Sequence, residues 1–470
     1  MTSRTWGLMG MGVMGTNLAR NFAKKGITLA LYNRYVQGSE EQIALKRTQT
    51  YPELKEALAF ESLSQFINTL EQPRKILIML PAGSVIDGIL NELSPLLSRG
   101  DVIIDGGNSH YEDTEKRVLL MAQKKILFLG MGVSGGAEGA LHGPSLMVGG
   151  DKEGYQIIAK DLENIAAKNR QGNPCCGYLG KGGAGHFVKM VHNGIEYGEM
   201  QLLAEIFELN LSSPKSNLET QQKQFSDWNN TESKSYLLEI TAEILSYKEK
   251  GAPFIDLILD QASNKGTGAW ATSIGAATGF PNTLMAAALH ARYTSSFKSE
   301  RIRHAKQLKF PSSDPPKEIP DLKKNYDLSR WINHHQGFEM IRHTGNNFGW
   351  DLNLSDVAQL WTEGCIIKSD LMNQLCILFK KHSSIFEMDV FQNLALNSKH
   401  QWSAILDYAL TTNIPIPCLS SSWNYLLSMT QEQSNARLIQ AQRDFFGAHG
   451  FKRVDQEEQS LNHGPWHHNS

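Results

Sequence analysis

The sequence predicts an α/β region at residues 1–180, a large all-α region at 181–438, and a C-terminal tail at 439–470. Three observations carry this. Short apolar runs alternate with helical patterns up to about Gly180, strand signals nearly vanish from there to about Leu438, and the chain after Ile439 turns polar. Alternation of the first kind implies a mostly parallel sheet with helices on both faces. At 470 residues the chain is long enough for two or three domains and a large core.

In chain order, strands are expected at Thr5–Met9, Ile27–Tyr32, Lys75–Leu80, Val102–Asp105, Ile126–Leu129 and Ser145–Val148. Each is a short aliphatic run bounded by glycine, proline or charge. Helices are expected between them, including Thr16–Lys25, Val85–Leu97 and Tyr111–Lys124. Beyond Gly180 Ala- and Leu-rich helical segments dominate, and a Pro-rich loop at 310–320 divides them. The polar tail cannot build a core of its own, so it is either disordered or docked on something else.

Composition narrows the function classes. With 46 Lys and Arg against 48 Asp and Glu, the net charge of −2 provides no overall field for nucleic acid or an acidic membrane. No apolar run approaches the roughly 20 residues of a membrane span. The N-terminal apolar run enters a glycine-rich turn and is not read as a secretion signal. Five cysteines without a C-x-x-C pair fit a reducing, cytoplasmic setting. The pairs His334–His335 and His467–His468 lack suitably spaced acidic or thiol partners, and no catalytic metal is expected.

Gly10, Gly12 and Gly15, with Met11, Val13 and Met14 between them, form G-x-G-x-x-G directly after the first strand and directly before a helix. In that context the glycines allow a tight turn whose backbone N–H groups reach a pyrophosphate, at a helix N-terminus that favours its charge. The α/β region is therefore expected to be Rossmann-like and to bind a dinucleotide. Sites for NAD usually carry a carboxylate about 20 residues past the first glycines, to hold the ribose hydroxyls. The chain has Asn33, Arg34 and Tyr35 there instead. Arg34 can pair with a 2′-phosphate, which favours NADP over NAD. Leu80, Ala82 and Asn108 follow later strands, where ligands of open α/β sheets bind.

A second feature lies at Phe187–Gly198. Lys189, His192, Asn193 and Glu196 fall at i, i+3, i+4 and i+7, within an arc of roughly 100° on a helix. Such a stripe shows a base, an acid and two orienting groups to one cavity. Lys189 and Glu196 would lie ~10 Å apart along the axis, a span suited to different carbons of one extended molecule. A solvated polar face is the plain alternative, and the stripe alone does not decide. Gly194 and Gly198 would let another chain or a ligand approach the helix closely.

With both features read, the chain closely resembles the long-chain 6-phosphogluconate dehydrogenases over nearly its whole length. The landmarks are Asp105–Ser109 (DGGNS), Gly132–Gly136 (GVSGG), Gly143–Met147 (GPSLM), Gly183–Gly198 (GAGHFVKMVHNGIEYG), Lys265–Gly268 (KGTG) and Gln440–His449 (QAQRDFFGAH). The resemblance implies oxidative decarboxylation of 6-phosphogluconate, with Lys189 as general base and Glu196 as general acid. It implies that Asn108, Ser134, Gly135, Gly136, His192, Asn193, Tyr197, Lys265 and Arg292 shape the substrate pocket. It further implies a homodimer in which Arg443 and His449 reach the neighbouring subunit's site and hold substrate phosphate. Three departures stand out: Tyr35 replaces a small hydroxyl residue, while Pro81 and Ala269 each stand where many members carry lysine. The first two raise the chance of NAD use beside NADP. A relative acting on a smaller β-hydroxyacid would lack the long second helical half and the tail with Arg443 and His449. A non-catalytic NADP-binding protein would have lost the lysine or the acid.

Overall fold

The computed structural model describes residues 4–263, 266–311, 320–456 and 460–466. Its centre is one sheet of eight strands: β1 (Trp6–Met9), β2 (Leu29–Tyr32), β3 (Leu58–Phe60), β4 (Lys75–Ile78), β5 (Val102–Asp105), β6 (Leu127–Ser134), β7 (Ser145–Gly150) and β8 (Cys176–Gly180). Their spatial order is β3-β2-β1-β4-β5-β6-β7-β8, parallel at every pair except the antiparallel β6–β7. Side chains alternate along each strand, so both faces are apolar. One face joins Leu8, Leu31, Leu77 and Ile104 with Leu18 and Phe22 of the Val13–Lys24 helix and Ile158 and Leu162 of the Lys152–Ile165 helix. The other joins Met9, Ile76, Ile78 and Ile103 with Ile86 and Leu90 of the Ser84–Leu93 helix and Met121 of the Tyr111–Gln123 helix.

The six expected strands are present, and two more accompany them in this sheet. β3 is a three-residue edge strand of half-buried residues, too short and mixed to stand out. β8 is interrupted by glycines and shifts register against β7, which hides its apolar pattern. β6 also runs on past Leu129 to Ser134, through Gly130 and Gly132.

Those glycines exist for the helix that crosses them. The chain leaves β8 and enters one continuous helix, Ala184–Leu211. A Cβ on Gly185 would come within 2.5 Å of Gly149 N and Met147 O and within 2.6 Å of Gly130 O. A Cβ on Gly130 would meet the His186 ring at 2.7 Å. Bare backbone on both sides lets the helix lie directly on β6 and β7. Gly194 and Gly198 serve other helices rather than a ligand. They face Met285 and Ala271, and Asn333, respectively. Asn333 lies on the Leu322–Phe348 helix and donates to Ile195 O at 2.8 Å. Behind the same helix Arg330 pairs with Glu199 at 2.8 Å, both fully buried.

The chain divides into two compact units, Met1–Ser421 and Ser422–Ser470. In the second, the Ala436–Gly447 helix is followed by chain that folds back, with Phe451 and Asn462 bridged antiparallel. Asp444 organises this return. Its carboxylate accepts from Gly450 N (3.0 Å), Gly464 N (2.8 Å) and Trp466 Nε1 (2.9 Å), and its Oδ1 lies 2.7 Å from His463 Nδ1. The described part of the tail is thus locally ordered around Asp444 rather than disordered. One buried carboxylate replaces the apolar core that its composition denies it. Of the Pro-rich loop, 312–319 lie outside the described residues. Among the described residues no helix is long and apolar enough to cross a membrane.

Candidate active site

A cleft of about 690 Å³ opens at the C-terminal ends of β1, β2 and β4. Gly10, Met11, Gly12, Asn33, Arg34 and Leu80 line it, together with Pro81, Glu40 and Arg47. The chain turns at Gly10 with φ +92°, where a Cβ would stand 2.5 Å from Met79 O. Gly15 presses on the Gly10 carbonyl and so fixes the turn rather than facing the cleft. Asn33 Oδ1 accepts from Met11 N at 3.0 Å, tying the end of β2 to the glycine turn. Val13 and Tyr35 are exposed, Met14 and Ala82 half-buried, and none of the four lines the cleft.

Arg47 and Glu40 are among the cleft residues that the sequence pattern does not reveal. Arg47 lies on the Ile43–Thr50 helix, with Nε 3.4 Å from Met11 O. Glu40 overturns the expectation that no carboxylate stands at the end of the second strand. It accepts from Arg34 Nη2 at 3.1 Å and Nε at 3.3 Å, and from Asn33 Nδ2 at 3.0 Å. Distance in sequence hid it: a tight loop closed between Val36 and Glu40 returns it to the strand end.

The second cluster lies on the Ala184–Leu211 helix. Lys189, His192 and Asn193 are buried and Glu196 is half-buried, which excludes a solvated polar face. His192 is the hub. Its Nδ1 is 3.2 Å from Lys189 Nζ, 3.3 Å from Asn193 Oδ1 and 3.7 Å from Glu196 Oε2. Its Nε2 is 3.0 Å from Ser134 Oγ at the end of β6. Gly135 (φ +113°) and Gly136 (φ +61°) follow, and a Cβ on Gly135 would stand 2.6 Å from Gly364 O.

Burial governs the charges here. It pushes the Lys189 ammonium below its ordinary value, against the pull of Glu196. It pushes Glu196 up, against Lys189 and Arg292. It holds His192 well down, with Lys189 adding to the effect, so the ring stays neutral. Withdrawal from water disfavours each charged form, and among the described residues no nearby cation contributes to the depression of Lys189.

Asn108 is exposed on a loop fixed by Asp105, which accepts from Ser109 Oγ at 2.6 Å and Gly107 N at 3.0 Å. Arg292 lies over the Tyr197 ring, 3.6 Å from its centroid. Tyr197 in turn packs on Gly268, where a Cβ would meet Cε2 at 2.5 Å. Lys265 lies outside the described residues. Arg443 and His449 belong to the second unit and are exposed there, Arg443 Nη1 being 3.3 Å from Gln440 Oε1.

Comparison with known proteins decides the family. Residues 5–180 match the model for the NAD binding domain of 6-phosphogluconate dehydrogenase, and residues 185–466 match the model for its C-terminal domain. The chain belongs to the 6-phosphogluconate dehydrogenase family. Among curated relatives, the decarboxylating 6-phosphogluconate dehydrogenase of Haemophilus ducreyi is 40% identical over 469 residues, covering 98% of this chain and 96% of that one. That of Lactococcus lactis is 41% identical over 466 residues, with 97% of each covered. The Escherichia coli enzyme is 38% identical, covering 97% of this chain and 98% of its own. Among solved structures, Plasmodium falciparum 6-phosphogluconate dehydrogenase superposes with a TM-score of 0.93 at 33% identity, over 98% of this chain and 100% of that one. The family's two-part plan is the plan of this chain: glycine turn and sheet first, then the long buried helix with its bundle.

Proposed function

We propose that the chain oxidises 6-phosphogluconate with NADP and decarboxylates it to ribulose 5-phosphate and CO₂. One observation carries the reading: a buried lysine and a half-buried glutamate, one turn either side of a neutral histidine, are both shifted toward their uncharged forms. An uncharged lysine is a base and an uncharged glutamic acid a proton donor, the pair this reaction needs. Full-length similarity to decarboxylating 6-phosphogluconate dehydrogenases supports the same reading.

The dinucleotide is held by the backbone of Gly10, Met11 and Gly12, whose turn leaves no room for a Cβ at Gly10, and by Asn33, Arg34 and Leu80. When bound, NADP supplies the acceptor for the hydride that leaves C3. Lys189 takes the C3 hydroxyl proton. The lysinium then polarises the new C3 ketone, and the C1–C2 bond breaks with release of CO₂ as its electron pair moves into an enediolate whose charge the lysinium balances. Glu196 returns a proton to the carbon that lost the carboxylate, which becomes C1 of ribulose 5-phosphate. Ser134 and Asn193 hold the His192 ring beside both groups, while Asn108, Gly135, Gly136, Tyr197, Lys265 and Arg292 shape the substrate pocket.

The same reading carries three regions, 1–180 for the dinucleotide, 181–438 for substrate and dimerisation, and 439–470 as a tail. It carries a homodimer whose tails bring Arg443 and His449 to the opposite site, and a cytoplasmic location that free cysteines suit. The test incubates purified protein with 6-phosphogluconate and NADP, then with NAD, while nicotinamide absorbance and CO₂ are followed. Equimolar NADPH and CO₂ are expected. Reduction without CO₂, or neither product, would sink the proposal.

A further inference from the structure

Arg34, the cation expected to recognise a 2′-phosphate, is already engaged. Both of its donors facing Glu40 are used, Nε at 3.3 Å and Nη2 at 3.1 Å, and Asn33 Nδ2 donates to the same carboxylate at 3.0 Å. The contact is built into the loop. Val36 N donates to Glu40 O at 3.0 Å and Glu40 N to Val36 O at 2.8 Å, so the backbone that carries the carboxylate is itself tied down. Asn33 cannot swing freely either, since its Oδ1 accepts from Met11 N. Glu40 and Arg34 both line the dinucleotide cleft. Glu92 lines it too, but among the described residues it makes no hydrogen bond to Arg34. The Arg34 fork holds Glu40 below the usual carboxylate range, so Glu40 stays anionic at neutral pH.

We propose that Glu40 is a specificity-determining residue of the dinucleotide site, an internal anion that competes with the 2′-phosphate of NADP for Arg34 and accepts from the 2′-hydroxyl of NAD. The inference rests on the reading that this cleft binds NADP. A phosphate arriving at Arg34 exchanges one anion for another and meets a fixed negative charge beside it. A ribose with a free hydroxyl meets an acceptor. Arg47, on the same cleft and with no acidic partner among the described residues, is the cation left free for phosphate. The site is thereby tuned toward dual use.

Binding of NADP, NAD and adenosine 2′,5′-bisphosphate to the full chain, measured by calorimetry, tests this without reference to turnover. Glu40→Gln removes the charge and keeps the shape. An ion pair as exposed as this one is worth up to about 1 kcal/mol, roughly fivefold in affinity. Glu40→Gln should therefore bind NADP and the bisphosphate about two- to fivefold more tightly, and NAD more weakly. In an Arg34→Gln background the gain for NADP should shrink, because there is no guanidinium left to compete for and only the repulsion between carboxylate and phosphate is relieved. Glu40→Ala provides the same comparison should the glutamine variant fail to fold. Weaker NADP binding in the Glu40 variants would show that the carboxylate preorganises Arg34 rather than competes, and unchanged affinities would show that it is silent; either overturns the inference. Wild-type protein that binds neither NADP nor the bisphosphate overturns the function reading itself, and the inference with it.

Discussion

A lysine and a glutamate close together along one buried helix would ordinarily settle as an ion pair. Here His192 stands between them, 3.2 Å from Lys189 Nζ and 3.7 Å from the Glu196 carboxylate. Their coupling therefore passes across a neutral ring, and burial wins over attraction in both. Lys189→Ala should cut oxidation by about a thousandfold or more, the scale of a lost general base, while dinucleotide binding stays near wild type. Stopped-flow absorbance and calorimetry separate the two; near-normal oxidation would remove Lys189 from the role of base. Glu196→Gln tests the coupling from the other side. The Glu196 carboxylate raises the Lys189 pKa, so a neutral amide lets it fall further. The acidic limb of the kcat/KM profile, set by protonation of the base, should then move to lower pH even as turnover slows. An acidic limb moving upward would show that the carboxylate does not act on Lys189.

At the scale of elements, what the sequence makes legible depends on whether a pattern is local. The glycine turn, six strands and the polar stripe each show within a dozen residues. Glu40 and Arg47 do not, since only loop closure at Val36–Glu40 and packing of the Ile43–Thr50 helix bring them to the cleft. Gly130, Gly132, Gly149 and Gly185 read locally as breakers. Their reason is the seam between the long helix and β6–β7, a contact between segments over 30 residues apart. This seam sets the height of Lys189 above the sheet, because a Cβ on Gly132 would collide with the Lys189 side chain. Gly185→Ala would force a methyl within 2.6 Å of three backbone atoms, none of which can rotate away. Overpacking of this kind costs about 1–3 kcal/mol, occasionally more. Urea titration should show at least that loss together with reduced activity. A variant as stable as wild type would mean the helix lifts off the sheet without penalty.

For the whole molecule, the tail is where composition and family resemblance diverge most. Composition offers only a polar end, yet the described part of 444–466 is organised around one buried carboxylate, Asp444, next in sequence to Arg443. A tail ordered in this way can present Arg443 and His449 as a fixed phosphate clamp instead of a loose pair of cations. If each clamp serves the opposite subunit, the enzyme is an obligate homodimer with shared sites. Truncation before Arg443 should then raise KM for 6-phosphogluconate strongly and leave cofactor affinity little changed. Mixing Lys189→Ala with Arg443→Ala under subunit exchange separates this from a clamp that acts within its own chain. A mixed dimer would hold one doubly damaged site and one intact site, so part of the activity should return. With exchange verified by tagged subunits, no recovery would assign Arg443 to its own subunit's site or remove it from catalysis.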